Sequence, residues 1–282
     1  MNVCVIGGGA AGMLAALTAA ENGHRVLLLE RQSRVGRKLL ATGNGRCNLD
    51  NTAIAPEKYF TADPAALRPL LAAVDAAAPL AWFEQLGLYT RTDEAGRVYP
   101  YSNQAADVLA LLELHLQRHT VQLRTGCTVS TLRQSKGGYA VQFTTAEGGT
   151  ESLRADAVIC AMGGAAGPQF GTDGSAFALA RMLGHSVAEP YPCLVPLRCA
   201  GFPVGLKGVR ANCALSLYLD GRCAGTERGE VQFAEYGLSG IPAMQLSCLL
   251  GPGVKKAGTS VDFFPEMAFP VLRGMLEQRC AS

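Results

Sequence analysis

The sequence predicts an α/β chain: a parallel-sheet domain over residues 1–188, then a smaller β-rich domain over 189–282. Three observations carry that expectation. Residues 3–30, VCVIGGGAAGMLAALTAAENGHRVLLLE, place an apolar run, three glycines, an alanine-rich run and a second apolar run in close succession. This is the compact strand–helix–strand pattern. A second buried-strand signal, at 157–161, also runs into glycines, Gly163 and Gly164. Near Glu189 the texture changes to prolines, cysteines and short alternating stretches.

The elements follow in order. The pattern predicts a strand over 3–6, a helix over 10–22 stopped by Gly23 as a left-handed cap, and a strand over 26–30. Asp63-Pro64 reads as an N-cap followed by proline at the first helical position. An alanine-leucine helical region runs from there to about Leu86, with a break near Pro79. Residues 88–100 predict a hairpin around Asp93-Glu94-Ala95-Gly96, and 105–118 an amphipathic helix. Three strands are expected at 121–125, 128–133 and 139–145. A helix at 175–183 ends at Gly184. Past 189 the strand signals are 194–199, 213–219 and 229–234.

Composition excludes several classes. The 282 residues are 49% hydrophobic and 17% charged, with a net charge of +2. That is globular, not disordered, and gives no electrostatic drive toward nucleic acid. The N-terminus lacks a basic leading region and its apolar run is broken by Gly7, Gly8 and Gly9, so no signal peptide is read there. No uninterrupted apolar stretch is read as a membrane span. The chain is expected in the cytoplasm, without a membrane partner. Its ten cysteines contain no C-x-x-C pair and are expected as reduced, mostly buried thiols. His115 and His119 have metal-compatible spacing, but no acidic or cysteine partner accompanies them. No metal is expected.

Gly7-x-Gly9-x-x-Gly12 follows a strand and opens a helix. Gly7 allows the tight turn, Gly9 lets a pyrophosphate approach the backbone, and Gly12 lets helix and strand pack closely. The amides around Ala10 and Ala11, with the helix dipole, face the phosphate. Glu30 stands 18 residues beyond Gly12, placed to accept hydrogen bonds from an adenosine ribose. A carboxylate there disfavours a 2′-phosphate but does not separate NAD from FAD. Residues 36–48, GRKLLATGNGRCN, add glycines that fold tightly against a ligand. Arg37, Lys38 and Arg46 offer charge for phosphate, and Asn44 and Asn48 offer amides. The competing interpretation of this segment is a solvated basic loop.

These motifs resemble the BaiN-like FAD-dependent oxidoreductases, also called aminoacetone oxidase-type flavoproteins. GRVYPYSNQA at 96–105, AMGGAAGPQFGTDG at 161–174 and GEVQFAEYGLSGIPAMQLS at 229–247 also look like that family's. The resemblance implies a glutathione reductase-like, Rossmann FAD-binding domain interrupted by a barrel-like β-rich insert. It implies that Gly7, Gly9, Ala10, Ala11, Gly12, Glu30 and Arg31 hold the ADP half of FAD. Lys38, Gly43, Gly45, Arg46, Cys47 and Asn48 are then expected near the pyrophosphate and flavin. Val129 is expected to meet the adenine through its backbone. Ala161, Gly163 and Gly164 form a second close crossing beside the cofactor, as a buried strand ending in glycines also suggests.

The chain departs from the family in three places. It has no match to the glycine-rich strand and helix that close the flavin domain, so both domains read as incomplete. Ile241 stands between Gly240 and Pro242, and Ala234 replaces a threonine. The chemistry implied is hydride transfer through flavin N5, with NAD(P)H as partner and a small organic substrate. An FAD-dependent amine oxidase using dioxygen and a non-catalytic dinucleotide-binding chain stay open. A simple NAD-dependent dehydrogenase lacks an identifiable catalytic His or Tyr-Lys pair. A redox role for Cys47 is weighed against a small buried thiol, and no catalytic residue is assigned.

Overall fold

The computed structural model describes every residue except 62, 74–76, 203 and 282. Two compact units are present, Met1–Ala188 and Glu189–Ser282.

The first unit opens with β1 (Asn2–Ile6), α1 (Ala10–Glu21) and β2 (Arg25–Leu29). Gly23 adopts φ +77° just past the helix, as its capping position requires. Then come α2 (Arg37–Ala41), β3 (Asp50–Asn51), α3 (Pro64–Ala73) and α4 (Ala78–Gln85). The amide of Ala66 donates to Asp63 Oδ1 at 3.0 Å, so Asp63 does cap α3. By length and composition only, Pro64–Gln85 is long and apolar enough to cross a membrane, where the sequence reads a helical region broken near Pro79 and no span. It runs across residues 74–76 and carries Arg68, Pro69 and Pro79.

Next are β4 (Thr90–Thr92), β5 (Arg97–Pro100), α5 (Ala105–Arg118) and β6 (Gln122–Arg124). The unit closes with β7 (Thr128–Ser135), β8 (Gly138–Thr144), β9 (Thr150–Ala155), β10 (Ala157–Cys160) and α6 (Ser175–Met182).

Four strands make a parallel sheet in the order β10-β1-β2-β6. Both faces are covered, which is why β1 and β2 read as continuous apolar runs. On one face Val3, Val5 and Leu28 pack with Met13 and Leu17 of α1 and Val108 and Leu112 of α5. On the other, Cys4, Ile6 and Leu29 pack with Leu132, Val141 and Phe143 of the β7-β8-β9 meander and Leu179 of α6. Completely burying each of these large apolar side chains contributes about 1.5–3 kcal/mol.

Two expectations need correction. The strand signal at 121–125 becomes β6, which joins the parallel sheet with Leu123 opposite Leu28. The third strand of the meander is instead β9, paired with β8. Its sequence TESLRA is mostly exposed and lacks apolar alternation, so periodicity does not report it.

The second unit contains β11 (Leu197–Arg198), β12 (Arg210–Leu219), β13 (Arg222–Ala234), β14 (Gly237–Ser239), α7 (Ile241–Ser247), β15 (Ala257–Asp262) and α8 (Phe269–Ala281). Its five strands form an antiparallel sheet in the order β11-β14-β13-β12-β15. Asp220 and Gly221, at φ +49° and +83°, turn β12 into β13, the positive-φ pair that matches strand twist. Ala243 and Leu246 of α7 pack on Leu215, Leu217, Val231 and Phe233. The strand expected at 194–199 is confined to Leu197–Arg198, while β12 and β13 run longer than expected. Neither α7 nor α8 was anticipated.

Candidate functional site

The turn from β1 into α1 is built by backbone contact. A Cβ on Gly12 would lie 1.8 Å from the Gly7 carbonyl oxygen. One on Gly7, at φ +104°, would lie 2.5 Å from the Ala161 carbonyl oxygen. These two glycines let β1, α1 and the end of β10 close on each other. Gly9 differs: a Cβ there meets no heavy atom within 4 Å. The space in front of Gly9 is open, as an approaching ligand requires, and the first amides of α1 have no partner within the helix.

Glu30 stands directly after β2. Its Oε2 accepts from the Gly8 amide at 2.6 Å and its Oε1 from the Gln32 amide at 2.7 Å. The carboxylate therefore fastens the glycine turn. Each oxygen still has acceptor capacity for a ribose hydroxyl.

One cavity of about 510 Å³ opens along this edge of the sheet. Of the sequence-predicted residues, Gly7, Gly9, Ala10, Ala11, Glu30, Arg31, Lys38, Cys47, Asn48, Val129, Ala161, Gly163 and Gly164 line it. Gly12, Gly43, Gly45 and Arg46 are not among the lining residues. Gly12 serves the packing of α1. Gly43, at φ +57°, sits against the Asn48 amide and the Tyr99 ring. Gly45 holds φ +83° in the turn that leads to Arg46. Arg46 lies over the Tyr99 ring at 4.4 Å and donates from Nε to the Gly43 carbonyl at 3.1 Å. Its charge is turned to the protein, not to the cavity.

Residues 36–48 form a short helix, α2, followed by a turn in which Gly43, Asn44, Gly45 and Cys47 all have positive φ. Three of the cations around the cavity hold the segment after β10. Lys38 Nζ donates to the Ala166 carbonyl at 2.5 Å. Arg37 Nη2 donates to the Gln169 carbonyl at 3.4 Å, and its Nη1 donates to Gln32. Arg31 Nη1 pairs with Asp173 at 3.0 Å and reaches Ser175 Oγ at 3.3 Å. Hydrogen bonds from Arg31 and Ser175 hold the Asp173 carboxyl well below the usual carboxylate range.

Cys47 is buried, and burial pushes its thiol up, only partly offset by a hydrogen bond with Thr42. It is a protonated thiol and not an activated thiolate. The cavity also takes in Leu14, Leu49, Pro79, Phe83 and Leu112, an apolar part missed in the sequence. These side chains come from four separate segments. Leu14, Phe83 and Leu112 carry only the helical apolar periodicity that core residues share, and Leu49, outside any helix, carries none. Thr172 and Asp173 lay within a quoted motif without an assigned role.

Parallel order β10-β1-β2-β6, a glycine crossing onto a helix N-terminus and a carboxylate after β2 define a Rossmann-type dinucleotide-binding domain. The chain belongs to the HI0933-like proteins, whose Rossmann-domain profile matches residues 1–260. It is 40% identical over 269 residues to the 3-dehydro-bile acid delta(4,6)-reductase of Clostridium scindens, covering 93% of this chain and 64% of that one. The resemblance stated from the sequence motifs is borne out. A ribosomal RNA dihydrouridine synthase of Escherichia coli is 25% identical over 263 residues, with coverage of 93% and 64%. The 3-ketosteroid-delta4-(5alpha)-dehydrogenase structure from Rhodococcus jostii RHA1 is 19% identical with a TM-score of 0.44, covering 57% of this chain and 45% of that one. The chain spans about 64% of the length of the curated relatives named here.

Proposed function

We propose that the chain is the FAD-binding part of a flavin-dependent oxidoreductase, with NAD(P)H as electron donor and a small organic substrate. The observation that carries this is the open space at Gly9 beside Glu30, in one cavity with Cys47, Asn48 and the Ala161–Gly164 crossing. A nucleotide pyrophosphate fits there because a Cβ at Gly7 or Gly12 would meet backbone, while one at Gly9 would occupy empty space. The amides of Ala10 and Ala11 bind the phosphates, aided by the helix dipole. Glu30 orients the ribose, and the backbone at Val129 meets the adenine. The apolar lining at Leu14, Leu49 and Phe83 suits a flat ring system and excludes water from it. When bound, FAD supplies hydride transfer at N5.

The substrate class we assign follows the 40%-identical relative, whose name is that of a 3-dehydro-bile acid reductase. The test is a visible spectrum of the purified chain after incubation with FAD and desalting, followed by anaerobic NADH or NADPH. Retained flavin that bleaches with a nicotinamide and recovers with a 3-dehydro bile acid unsaturated at positions 4 and 6, whose conjugated double bond takes the hydride and a proton, supports the proposal. Retained flavin that ignores both nucleotides but is reduced by an amine moves the assignment to an oxidase. A colourless chain rejects FAD binding by these residues alone.

A further inference from the structure

We infer that Cys193 and Cys248 form a reversible dithiol–disulfide site within the second unit. Their sulfurs are 3.1 Å apart, with the Cys193 thiol donating to Cys248. Both are free thiols in this structure, Cys193 exposed and Cys248 buried. They are separated by 55 residues in sequence, so the fold brings them together and no local motif does.

The backbone holds the pair in register. Two residues after Cys193, the Val195 amide donates to Ser247 Oγ at 2.9 Å. Ser247 directly precedes Cys248 and is only 2% exposed. Its hydroxyl donates in turn to the Met244 carbonyl at 2.7 Å, within α7. The segment 193–195, bent at Leu194 with φ +57°, is therefore tied to the end of α7 beside the sulfurs. Closing the ring orders little that is not ordered already, so the intramolecular thiol has a high effective concentration.

Exposure sets the order of events. A low-molecular-weight disulfide, RSSR, reaches Cys193 first. The Cys193 thiolate attacks one sulfur, forming a mixed disulfide and releasing the first RSH with the Cys193 proton. The Cys248 thiolate then attacks Cys193 Sγ, forming the internal disulfide and releasing the second RSH with the Cys248 proton. Two thiols are oxidised and one RSSR is reduced to two RSH, so electrons and protons balance. Excess RSH reverses both steps. The contact with Cys248, with burial adding to it, pushes the Cys193 thiol up, so proximity drives the second step and a reactive thiolate does not.

The other exposed cysteines, Cys160, Cys223 and Cys280, serve as internal controls. The whole chain is equilibrated in graded glutathione and glutathione disulfide, alkylated and peptide-mapped. The expected result is a peptide cross-linked through Cys193 and Cys248, with the loss of two hydrogens in mass and full reversal by excess thiol. Cys160, Cys223 and Cys280 should carry mixed disulfides at most. Cys193→Ser should abolish the cross-link, and Cys248→Ser should trap glutathione on Cys193. Far-ultraviolet circular dichroism of each variant checks that it folds, and the unsubstituted chain alone already decides the pairing. Accumulated glutathione on Cys193 without closure, a different cross-link, or no reaction at either cysteine overturns the inference.

Discussion

Two glycine-rich stretches line the same cavity edge, and their glycines act differently. In Gly7–Gly12 the requirement is mostly close approach: Gly12 touches the Gly7 carbonyl and Gly7 touches the Ala161 carbonyl. In residues 36–48 conformation is required throughout: Gly36, Gly43 and Gly45 hold φ of +71°, +57° and +83°, and crowding against Leu109 and the Asn48 amide adds to it only at Gly36 and Gly43. The charges differ as well. The first stretch presents helix amides to open space. The second turns Lys38, Arg37 and Arg46 onto protein acceptors. Glycine content alone does not mark a phosphate site; what surrounds each missing Cβ does.

The largest expected effect comes from Gly12→Ala. The new Cβ would meet backbone on a neighbouring turn at 1.8 Å, where no side-chain rotation relieves it. We expect a loss of about 4 kcal/mol or more, the range of severe core disruption. Urea denaturation of the variant measures this. A loss below about 1 kcal/mol would mean that α1 shifts freely away from β1, and the comparison would fail.

Gly43→Ala should cost less, about 1–3 kcal/mol, from left-handed strain together with crowding at the Asn48 amide. The Cβ would lie 2.8 Å from that amide nitrogen. Gly43→Asn is the sharper companion, because asparagine tolerates this region and already does so next door at Asn44, φ +57°. If alanine and asparagine are equally costly, crowding and not φ is the cause.

The first stretch was legible in the sequence because its logic is local. Strand, turn, helix and the acid at Glu30 all fall within 30 residues, and each glycine has a fixed offset. The second was legible only as glycine plus charge. What Lys38 and Arg37 hold lies 128 and 132 residues away, beyond any periodicity. Arg31 finds Asp173 across 142 residues for the same reason. The meander strand β9 escaped because exposed strands need no apolar alternation, and α7 because seven residues give too short a helical pattern. The pairing of Cys193 with Cys248 is likewise a product of tertiary structure.

A smaller effect tests Arg31, which precedes the second stretch and, like Lys38 and Arg37, holds the segment after β10. Arg31 and Ser175 depress the folded-state carboxyl of Asp173. A depressed carboxyl contributes stability above its unfolded value, roughly pH 4, and loses it as pH falls toward the folded value. Asp173→Asn should therefore lower stability above about pH 4, by a modest amount because the pair is solvent-screened, and converge with the unsubstituted chain at low pH, which flattens the acid limb. Thermal melts between about pH 2 and pH 7 report this. An unchanged acid limb would show that the Arg31 pair does not hold the segment after β10 in solution.

The smallest effect on folding belongs to Gly9→Ala, and it separates ligand from scaffold. Gly9 has φ −77°, which alanine adopts freely, and its Cβ would meet nothing within 4 Å. Stability should change by less than about 1 kcal/mol in either direction. The same methyl group would project where the pyrophosphate approaches. We expect FAD affinity to fall about tenfold or more, equivalent to about 1.4 kcal/mol, read from quenching of flavin fluorescence. Gly12→Ala would lose both fold and ligand, so it cannot assign the site. Gly9→Ala keeps the fold and loses the ligand, so its outcome bears on the phosphate position alone. Undiminished FAD binding in this variant would move the pyrophosphate away from the β1–α1 turn and leave Gly7 and Gly12 with a packing role only.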